Sequence, residues 1–349
     1  MKNDKIVVGI TQGDINSINY EVIMKSLSDN RIYDMLIPVV YGSPKVAAYH
    51  RKALNMNNFS FNQIRNVGEA NPKRANIINC IDENIRVELG KSTQVAGEAS
   101  FQSLEIAVND LLENKIDVLV TGSINKYNIQ SDKFSFPGHT EYLQEKFNSE
   151  DVLMLMINDL FRIGVVTSHM PISEVPAHIT SENIIAKLKV MNHSLMVDFK
   201  IRKPKIAVLG LNPHAGDHGV LGNEEAEKIT PAIDEARESG ILAFGPFPAD
   251  GFFGSGQYSK YDGILAMYHD QGLVPFKALS TDGGVNFTAG LNVVRTSPAH
   301  GTAFELAGKD EAEPDSFRRA IYLACDIYKA RKEYKEISAN PLKSYDISE

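Results

Sequence analysis

Residues 264–308 read ILAMYHDQGLVPFKALSTDGGVNFTAGLNVVRTSPAHGTAFELAG. Ile264–Met267 is a short continuous apolar run, the pattern of a strand covered on both faces. His269 and Asp270 follow directly, and Gly272 and Pro275 are expected to break the chain there. Lys277, Asn286 and Arg295 come next, and a glycine-flanked loop runs from His300 to Gly308. In an open parallel sheet, ligands bind just beyond the carboxyl ends of strands. His269 stands at such an end, so this stretch is expected to carry metal, phosphate and cofactor contacts together.

The same pattern recurs outward along the chain. Continuous apolar runs at Ile6–Ile10, Leu36–Tyr41, Val118–Thr121, Val152–Ile157, Ile163–Thr167 and Ile206–Leu211 read as further buried strands. Helical patterns lie between them. Phe101, Leu104, Val108 and Leu111 share one face and predict a helix over about 98–114. Asn223 reads as the start of another helix and Gly240 as its stop, with Pro231 expected to kink or split it. Strands alternating with helices predict an α/β architecture. Residues 48–84 are polar and weakly patterned, and they yield no assignment.

A length of 349 residues suggests two domains. The net charge of -8, with no Lys/Arg block, argues against nucleic acid and membrane partners. An anionic substrate must therefore be held by a local cluster of cations. Cys80 and Cys325 are far apart and make no disulfide framework, so they read as inert thiols of a reducing compartment. The first apolar run is too short for a signal peptide, and no run approaches the roughly 18 apolar residues of a membrane span. A cytoplasmic location is the expectation.

His169, His214 and His269 each fall just past a predicted strand. In a parallel sheet those positions share one edge. Any one of them could be an ordinary hydrogen-bonded histidine. Together they suit a catalytic divalent metal with an open position for water or substrate. Asp270 and Asp250 are candidate carboxylates behind the imidazoles, although Asp250 also reads as part of a turn.

Phosphate candidates lie nearby in this scheme. In Pro137-Gly138-His139-Thr140-Glu141, the glycine admits a ligand close to the backbone. Thr140 is expected to cap a helix beginning at Glu141 and so offer an anion site. Lys277 and Arg295 flank Asp282-Gly283-Gly284, and Lys126 ends the run Thr121-Gly122-Ser123-Ile124-Asn125-Lys126 beyond another strand. No GxGxxG stands at a strand-to-helix turn, and there is no P-loop and no GxSxG elbow.

The segments PGHTE (137–141), TSHMP (167–171), LNPHAG (211–216), GPFPAD (245–250), YHDQGLVPFK (268–277), GVNFTAGL (284–291) and RTSPAHGTAFELAG (295–308) resemble the 4-hydroxythreonine-4-phosphate dehydrogenase family. They occur in the family's order and span nearly the whole chain. The resemblance implies two α/β/α domains with a cleft between them, isocitrate/isopropylmalate dehydrogenase-like and not a Rossmann dinucleotide fold. The implied division is 1–140 with 280–349, and 141–279. It implies a divalent metal (zinc, magnesium or cobalt) on His169, His214 and His269, and substrate contacts at His139, Thr140, Lys277, Asn286 and Arg295. NAD is implied at the loop carrying His300, Gly301, Thr302 and Gly308, and Lys277, Asp270 and Asp250 are the candidates for catalytic roles. The implied partners are a small phosphorylated amino-acid substrate and a second copy of the chain, in a homodimer that shares its site across the interface. The implied reaction is oxidation of 4-phosphooxy-L-threonine at C3 and loss of carbon dioxide, in pyridoxine 5'-phosphate biosynthesis. Acids in Lys309-Asp310-Glu311 favour NAD over NADP.

Three alternatives stay open. A sister dehydrogenase acting on threonate or erythronate 4-phosphate would use the same groups. A metal-dependent hydrolase has the cofactor-like loop against it, and a non-catalytic binding protein has the histidine set against it. The chain also departs from the family pattern GDPxGIGPE, reading Gly13-Asp14-Ile15-Asn16-Ser17-Ile18-Asn19-Tyr20-Glu21. A helix is still expected over Tyr20–Leu27. Ser17 is expected at negative φ, and Asn19 is expected to serve as a cap or to take positive φ.

Overall fold

The computed structural model describes residues 5–82, 84–280 and 283–341; Asp282, of the glycine-rich segment above, lies outside them. The strands are β1 Ile6–Thr11, β2 Leu36–Gly42, β3 Asn62–Ile64, β4 Asn76–Asn79, β5 Val118–Thr121 and β6 Leu153–Ile157. They continue as β7 Arg162–Thr167, β8 Lys205–Leu209, β9 Leu242–Phe247, β10 Gly263–Tyr268, β11 Val285–Ala289 and β12 Arg295–Pro298. All join one 12-stranded sheet in the order β3-β4-β2-β1-β5-β12-β11-β6-β7-β10-β8-β9. The seven expected strands are all present, with small shifts at their ends.

The sheet is mixed rather than parallel throughout. The block from β3 to β12 is parallel, as is the block from β7 to β9. Between them β11 is antiparallel to both β12 and β6, and β6 is antiparallel to β7. The two parallel blocks therefore run in opposite senses. The strands that precede His169, His214 and His269, β7, β8 and β10, all belong to the second block and are mutually parallel, so the shared edge expected for the histidines exists within that block.

Helices cover both faces, which explains why the strand sequences are continuous rather than alternating. In the first block, Leu119 packs with Leu104 and Val108 of the helix Gln94–Leu112. Its neighbours Val118 and Val120 turn to the other face, toward Ile321 and Ala324 of the helix Asp315–Ser338. In the second block, Leu265 and Met267 share a cluster with Leu188 of Ser181–Val197, whereas Ile264 and Ala266 pack with Leu273 and Phe276 of His269–Leu279.

Local chemistry sets several boundaries. The helix Gln94–Leu112 starts before the expected residue 98, because the Thr93 hydroxyl accepts the Ala96 N–H at 3.3 Å as an N-cap. Pro231 does split its helix: a π-helical turn, Glu225–Ile229, gives way to Thr230–Glu238, and Gly240 follows at φ +85°. The expected break at Gly272 and Pro275 is overturned. The helix His269–Leu279 begins at once after β10 and runs through both residues. A Cβ on Gly272 would lie 3.1 Å from Val165 Cγ1, so the glycine lets this helix rest on β7. Strands β3 and β4 escaped notice because they are short and polar. Buried Asn76 holds β4 by donating to the Pro38 and Arg74 carbonyls at 3.1 and 2.9 Å.

Cys80 and Cys325 are both free, and burial pushes each thiol up to about 12. Among the described residues, no helix is long and apolar enough to cross a membrane.

The divergent N-terminal loop is buried from Thr11 to Met24. Ser17 keeps negative φ as expected, and only Gly13, at φ +61°, takes the left-handed region here. The Ser17 hydroxyl donates to the Asp14 carbonyl at 2.6 Å. Asn19 neither caps the helix Asn19–Leu27 nor takes positive φ. It grips the Ser123 backbone instead, donating to its carbonyl at 2.8 Å and accepting its N–H at 3.0 Å.

Gly97 marks where the helix Gln94–Leu112 presses on the loop beyond β5. A Cβ there would lie 1.9 Å from the Asn128 carbonyl oxygen. Gly97→Ala is expected to cost about 1–3 kcal/mol through forced backbone movement, read as a lower midpoint in thermal or urea denaturation.

Candidate active site

The carboxyl end of β5 leads into Gly122 and Ser123, whereas those of β7 and β10 lead to His169 and His269. Although β5 runs opposite to β7 and β10, these ends border one cavity of about 260 Å³. Side chains of the central strands complete it, namely Met154, Met156, Asn286, Arg295 and Ser297. The helix His139–Lys146 opens at its rim. A larger cavity, about 480 Å³, lies between Leu27 and Ala75 and holds none of the candidate residues.

Arg295 is the electrostatic centre. It is 2% exposed. Its Nη2 and Nε donate to Thr121 Oγ1 at 2.6 and 3.1 Å, and Nη1 donates to Thr288 Oγ1 at 3.1 Å. No carboxylate pairs with it among the described residues. Burial without a counterion pushes its pKa down to about 10, so it still carries its charge at neutral pH. A buried cation held only by neutral acceptors is arranged to meet an anion that arrives with the ligand.

His139 is buried beside it, with Arg295 Nη2 3.2 Å from His139 Nδ1. A guanidinium can only donate, so Nδ1 is the acceptor and the proton of the neutral ring sits on Nε2. That Nε2 is buried and has no partner. Burial first, then the charges of Arg295 and Lys126, hold the His139 pKa well below the ordinary histidine value. Asn286 Oδ1 and His300 Nε2 are likewise buried without partners. Buried polar atoms are rarely left unpaired, and these three, with Glu141 Oε2 as a fourth at the same cavity, mark a place for a polar ligand. Thr140 also lines the cavity, but as the second residue of its helix; Gly138, not Thr140, occupies the N-cap. Lys277 reaches the rim and Lys126 faces it from the β5 side. Lys126 is exposed as a residue, yet enough protein surrounds its ammonium for desolvation to lower its pKa.

His169 and His269 come together with ring centroids 6.0 Å apart. His269 Nδ1 lies 2.7 Å from Asp270 Oδ1, and His169 Nδ1 lies 3.4 Å from Glu141 Oε1. Carboxylates on Nδ1 leave Nε2 as the free donor atom, which is how metal-binding imidazoles are oriented. Burial works against charge on Glu141, but the His169 contact, its own backbone N–H and the charges of His169 and Lys126 together hold the carboxyl below its usual pKa. His214 is exposed and borders neither of the two cavities that His169 and His269 share. It lies in a turn where five residues, 214–218, are left-handed. Asp250 is exposed at the start of the helix Ala249–Gly254 and stands outside both cavities. Among the described residues, no three His, Cys, Asp or Glu side chains converge to hold a metal. The chain itself therefore brings together two imidazoles, each with a carboxylate on its Nδ1.

The loop implied to bind the cofactor meets the cavity only at its start, through His300 and Gly301. Ser123 Oγ donates to the His300 carbonyl at 2.9 Å, and the Thr302 carbonyl accepts the Ile18 N–H at 3.3 Å. Gly308, at φ +77°, packs against Leu89, and Asp310 pairs with Lys25 at 3.0 Å. The unpartnered His300 Nε2 fits a polar group of a bound cofactor. Sequence reading gave no role to Glu141, Thr121 or Thr288. Glu141 lay inside a quoted motif, but nothing in the sequence ties it to His169 or the threonines to Arg295.

The fold and the cavity define an α/β protein with a cleft lined by cationic side chains and no Rossmann fingerprint. Comparison with known proteins narrows that class. A family model described as Pyridoxal phosphate biosynthetic protein PdxA matches residues 34–324, and the chain belongs to this family of 4-hydroxythreonine-4-phosphate dehydrogenases. A 4-hydroxythreonine-4-phosphate dehydrogenase of Bacteroides thetaiotaomicron is 52% identical over 98% of this chain and 94% of the relative. A relative from Oceanobacillus iheyensis, provisionally named a D-threonate 4-phosphate dehydrogenase, is 37% identical over 93% of this chain and 98% of its own. The crystal structure of 4-hydroxythreonine-4-phosphate dehydrogenase from Klebsiella pneumoniae superimposes with a TM-score of 0.78 at 30% identity, covering 94% of this chain and 99% of that one.

The buried neutral His139 has a consequence for stability. On unfolding, its pKa returns to about 6.5. Below that pH the unfolded chain binds a proton that the folded chain refuses, so stability falls as pH falls. Above it the penalty vanishes. Replacing His139 with Gln is expected to flatten the loss of stability below pH ~6.5 by up to about 1.4 kcal/mol per pH unit. Urea denaturation across that range measures it.

Proposed function

We propose that the chain is an NAD-dependent and divalent-metal-dependent dehydrogenase of 4-phosphooxy-L-threonine. Oxidation at C3 gives 2-amino-3-oxo-4-phosphooxybutanoate, which loses carbon dioxide to give 3-amino-2-oxopropyl phosphate on the route to pyridoxine 5'-phosphate. The observation that carries this reading is the buried Arg295 guanidinium, which forms an ion pair with no carboxylate among the described residues, beside the N–H of His139, likewise unpartnered among them. A bound divalent metal would supply polarisation of the C3 oxygen, and bound NAD would supply the hydride acceptor.

The residues divide the remaining work. Arg295 and Lys277 bind phosphate by charge, and His139 Nε2–H and Thr140 add hydrogen bonds. Asn286 fixes the substrate's orientation between them. His169 and His269 would hold the metal, with Glu141 and Asp270 keeping their rings in place. The third imidazole joins them only when a second copy packs against the cavity, in a homodimer whose site is shared. His300 and Gly301 border the cofactor on the open side, and Thr302 and Gly308 shape its loop. The lobes 1–140 with 280–349 and 141–279 close on the ligand between them.

The sister activity on D-threonate 4-phosphate is the second reading, and the Oceanobacillus relative favours it. The two substrates differ at C2, where one bears an ammonium and the other a hydroxyl. Among the described residues Glu141 is the one carboxylate bordering the cavity, and its Oε2 is buried without a partner among them. That is the acceptor an ammonium needs, so the amino-acid substrate is preferred.

NADH formation from 4-phosphooxy-L-threonine, D-threonate 4-phosphate and D-erythronate 4-phosphate tests the reading. The highest kcat/KM is expected for the amino-acid phosphate, with activity lost to a chelator and restored by added metal. A higher value for either sugar-acid phosphate would establish the sister activity instead. Arg295→Ala and Lys277→Ala are each expected to weaken binding of the phosphorylated substrate by about 1.5–3 kcal/mol per charged hydrogen bond lost. Unchanged calorimetric affinity in both variants would place the phosphate elsewhere.

A further inference from the structure

His300 meets the cavity with a fixed polarity. Its Nδ1 lies 2.9 Å from the Gly301 carbonyl oxygen. A carbonyl only accepts, so Nδ1 carries the proton of the neutral ring and Nε2 is left as an acceptor. That acceptor is buried and has no partner among the described residues. His139 thus presents a donor to the cavity and His300 an acceptor, suited to a hydroxyl or amide N–H of a cofactor.

The N-terminal loop holds His300 in that place. The His300 carbonyl accepts the Ser123 hydroxyl at 2.9 Å, and the Asn19 carboxamide holds the Ser123 backbone in turn. The Ser123 carbonyl also accepts the Asp14 N–H at 3.0 Å, but the Ser123 N–H donates to Asn19 Oδ1. Asn19 is fully buried, and Gly13 leaves the space for it: a Cβ there would lie 2.3 Å from Asn19 Nδ2. Two residues beyond His300, the Thr302 carbonyl accepts the Ile18 N–H at 3.3 Å. Asn16 secures the far end of the same loop. Its side chain accepts the Glu88 N–H at 2.7 Å and donates to the Lys91 carbonyl at 2.9 Å, and its own carbonyl accepts the Gly90 N–H at 2.9 Å. A Cβ on Gly90 would lie 2.9 Å from the Phe304 carbonyl oxygen, and Leu89 lies against Gly308. The loop 300–308 therefore rests on the N-terminal loop at both ends. These bonds run apart from those that hold Arg295, which go to Thr121, Thr288 and His139.

We infer that Asn19 is a positioning residue for the cofactor. Acting through the Ser123 backbone and hydroxyl, it sets the His300 acceptor at the cavity, while the phosphate contacts stand independently of it. The position is one where the chain departs from its family's glycine, so this clamp belongs to the chain's own version of the loop. The inference rests on the placement of NAD at His300 proposed above.

Calorimetry and hydrogen–deuterium exchange test it together. Asn19→Ala should weaken NAD binding by roughly 5- to 30-fold, the loss of one or two hydrogen bonds. It should leave 4-phosphooxy-L-threonine within about twofold. Ser123→Ala should also weaken NAD, and the double variant should bind NAD no more weakly than the weaker single one, because both act through one connection. Ser123→Thr, which keeps the hydroxyl, should retain most of the affinity. The amides of residues 300–302 should exchange faster in both alanine variants. Asn19→Asp keeps the shape and the acceptor for the Ser123 N–H; it should give a smaller loss in the same direction, and it replaces the alanine variant if that one does not fold. An equal loss for NAD and the phosphorylated substrate would mean general loosening and overturn the inference. Additive losses in the double variant, or no loss for NAD, would overturn it too. Failure of the unaltered protein to bind NAD would sink the proposed cofactor placement. Faster exchange at 300–302 would then still establish the clamp, and unchanged exchange would refute it.

Discussion

A single buried charge organises the centre of this molecule. Arg295 sits on β12, within the core of the sheet, where an unpaired guanidinium costs several kcal/mol of desolvation. Thr121 on β5 and Thr288 on β11 offset part of that cost with hydroxyl acceptors. Threonine suits both demands at once, because it is a good strand residue and its oxygen accepts without cancelling the charge. A carboxylate at either position would stabilise the empty protein better and leave nothing for a ligand. The neutral state of His139 follows from the same charge, since the guanidinium both repels a second proton and takes up Nδ1.

The reversal of strand direction is what lets other groups reach Arg295. In a wholly parallel sheet, loops at one edge would meet only each other. Here β11 and β6 run between two opposed blocks, and residues beyond the carboxyl ends of both blocks border one cavity with side chains of the central strands. One block brings Lys126 and the helix that carries His139. The other brings His169, His269 and Lys277. The cavity is thus a product of topology, and the histidines, amide and cations lining it are far apart in the chain.

The N-terminal loop shows how a departure from a family pattern can preserve a site. Asn19 and Ser17 stand where the pattern has glycines, and both hold the loop through side-chain hydrogen bonds. Asp14 stays buried and reaches Asn128, the end of the loop that bears Lys126. Flexible backbone has been exchanged for side-chain clamps, and the loop beyond β5 depends on them.

The sequence by itself determined the α/β class, because runs such as Val118–Thr121 and Ile264–Met267 are apolar without alternation and so need cover on both faces. It also singled out His139, His169, His269, Lys277, Asn286 and Arg295, all of which border one cavity. Short polar strands such as Asn76–Asn79 stayed hidden, since hydrogen bonds rather than apolar periodicity hold them. The run of the helix through Gly272 and Pro275 was hidden for a related reason, as a local break signal yields to close packing on β7. Only the tertiary structure decided that Arg295 is buried on threonines, that Glu141 backs His169, and that His214 and Asp250 stand apart from the cavity in one chain. Those facts depend on strand order and direction, which long-range pairing sets and no local pattern of residues encodes.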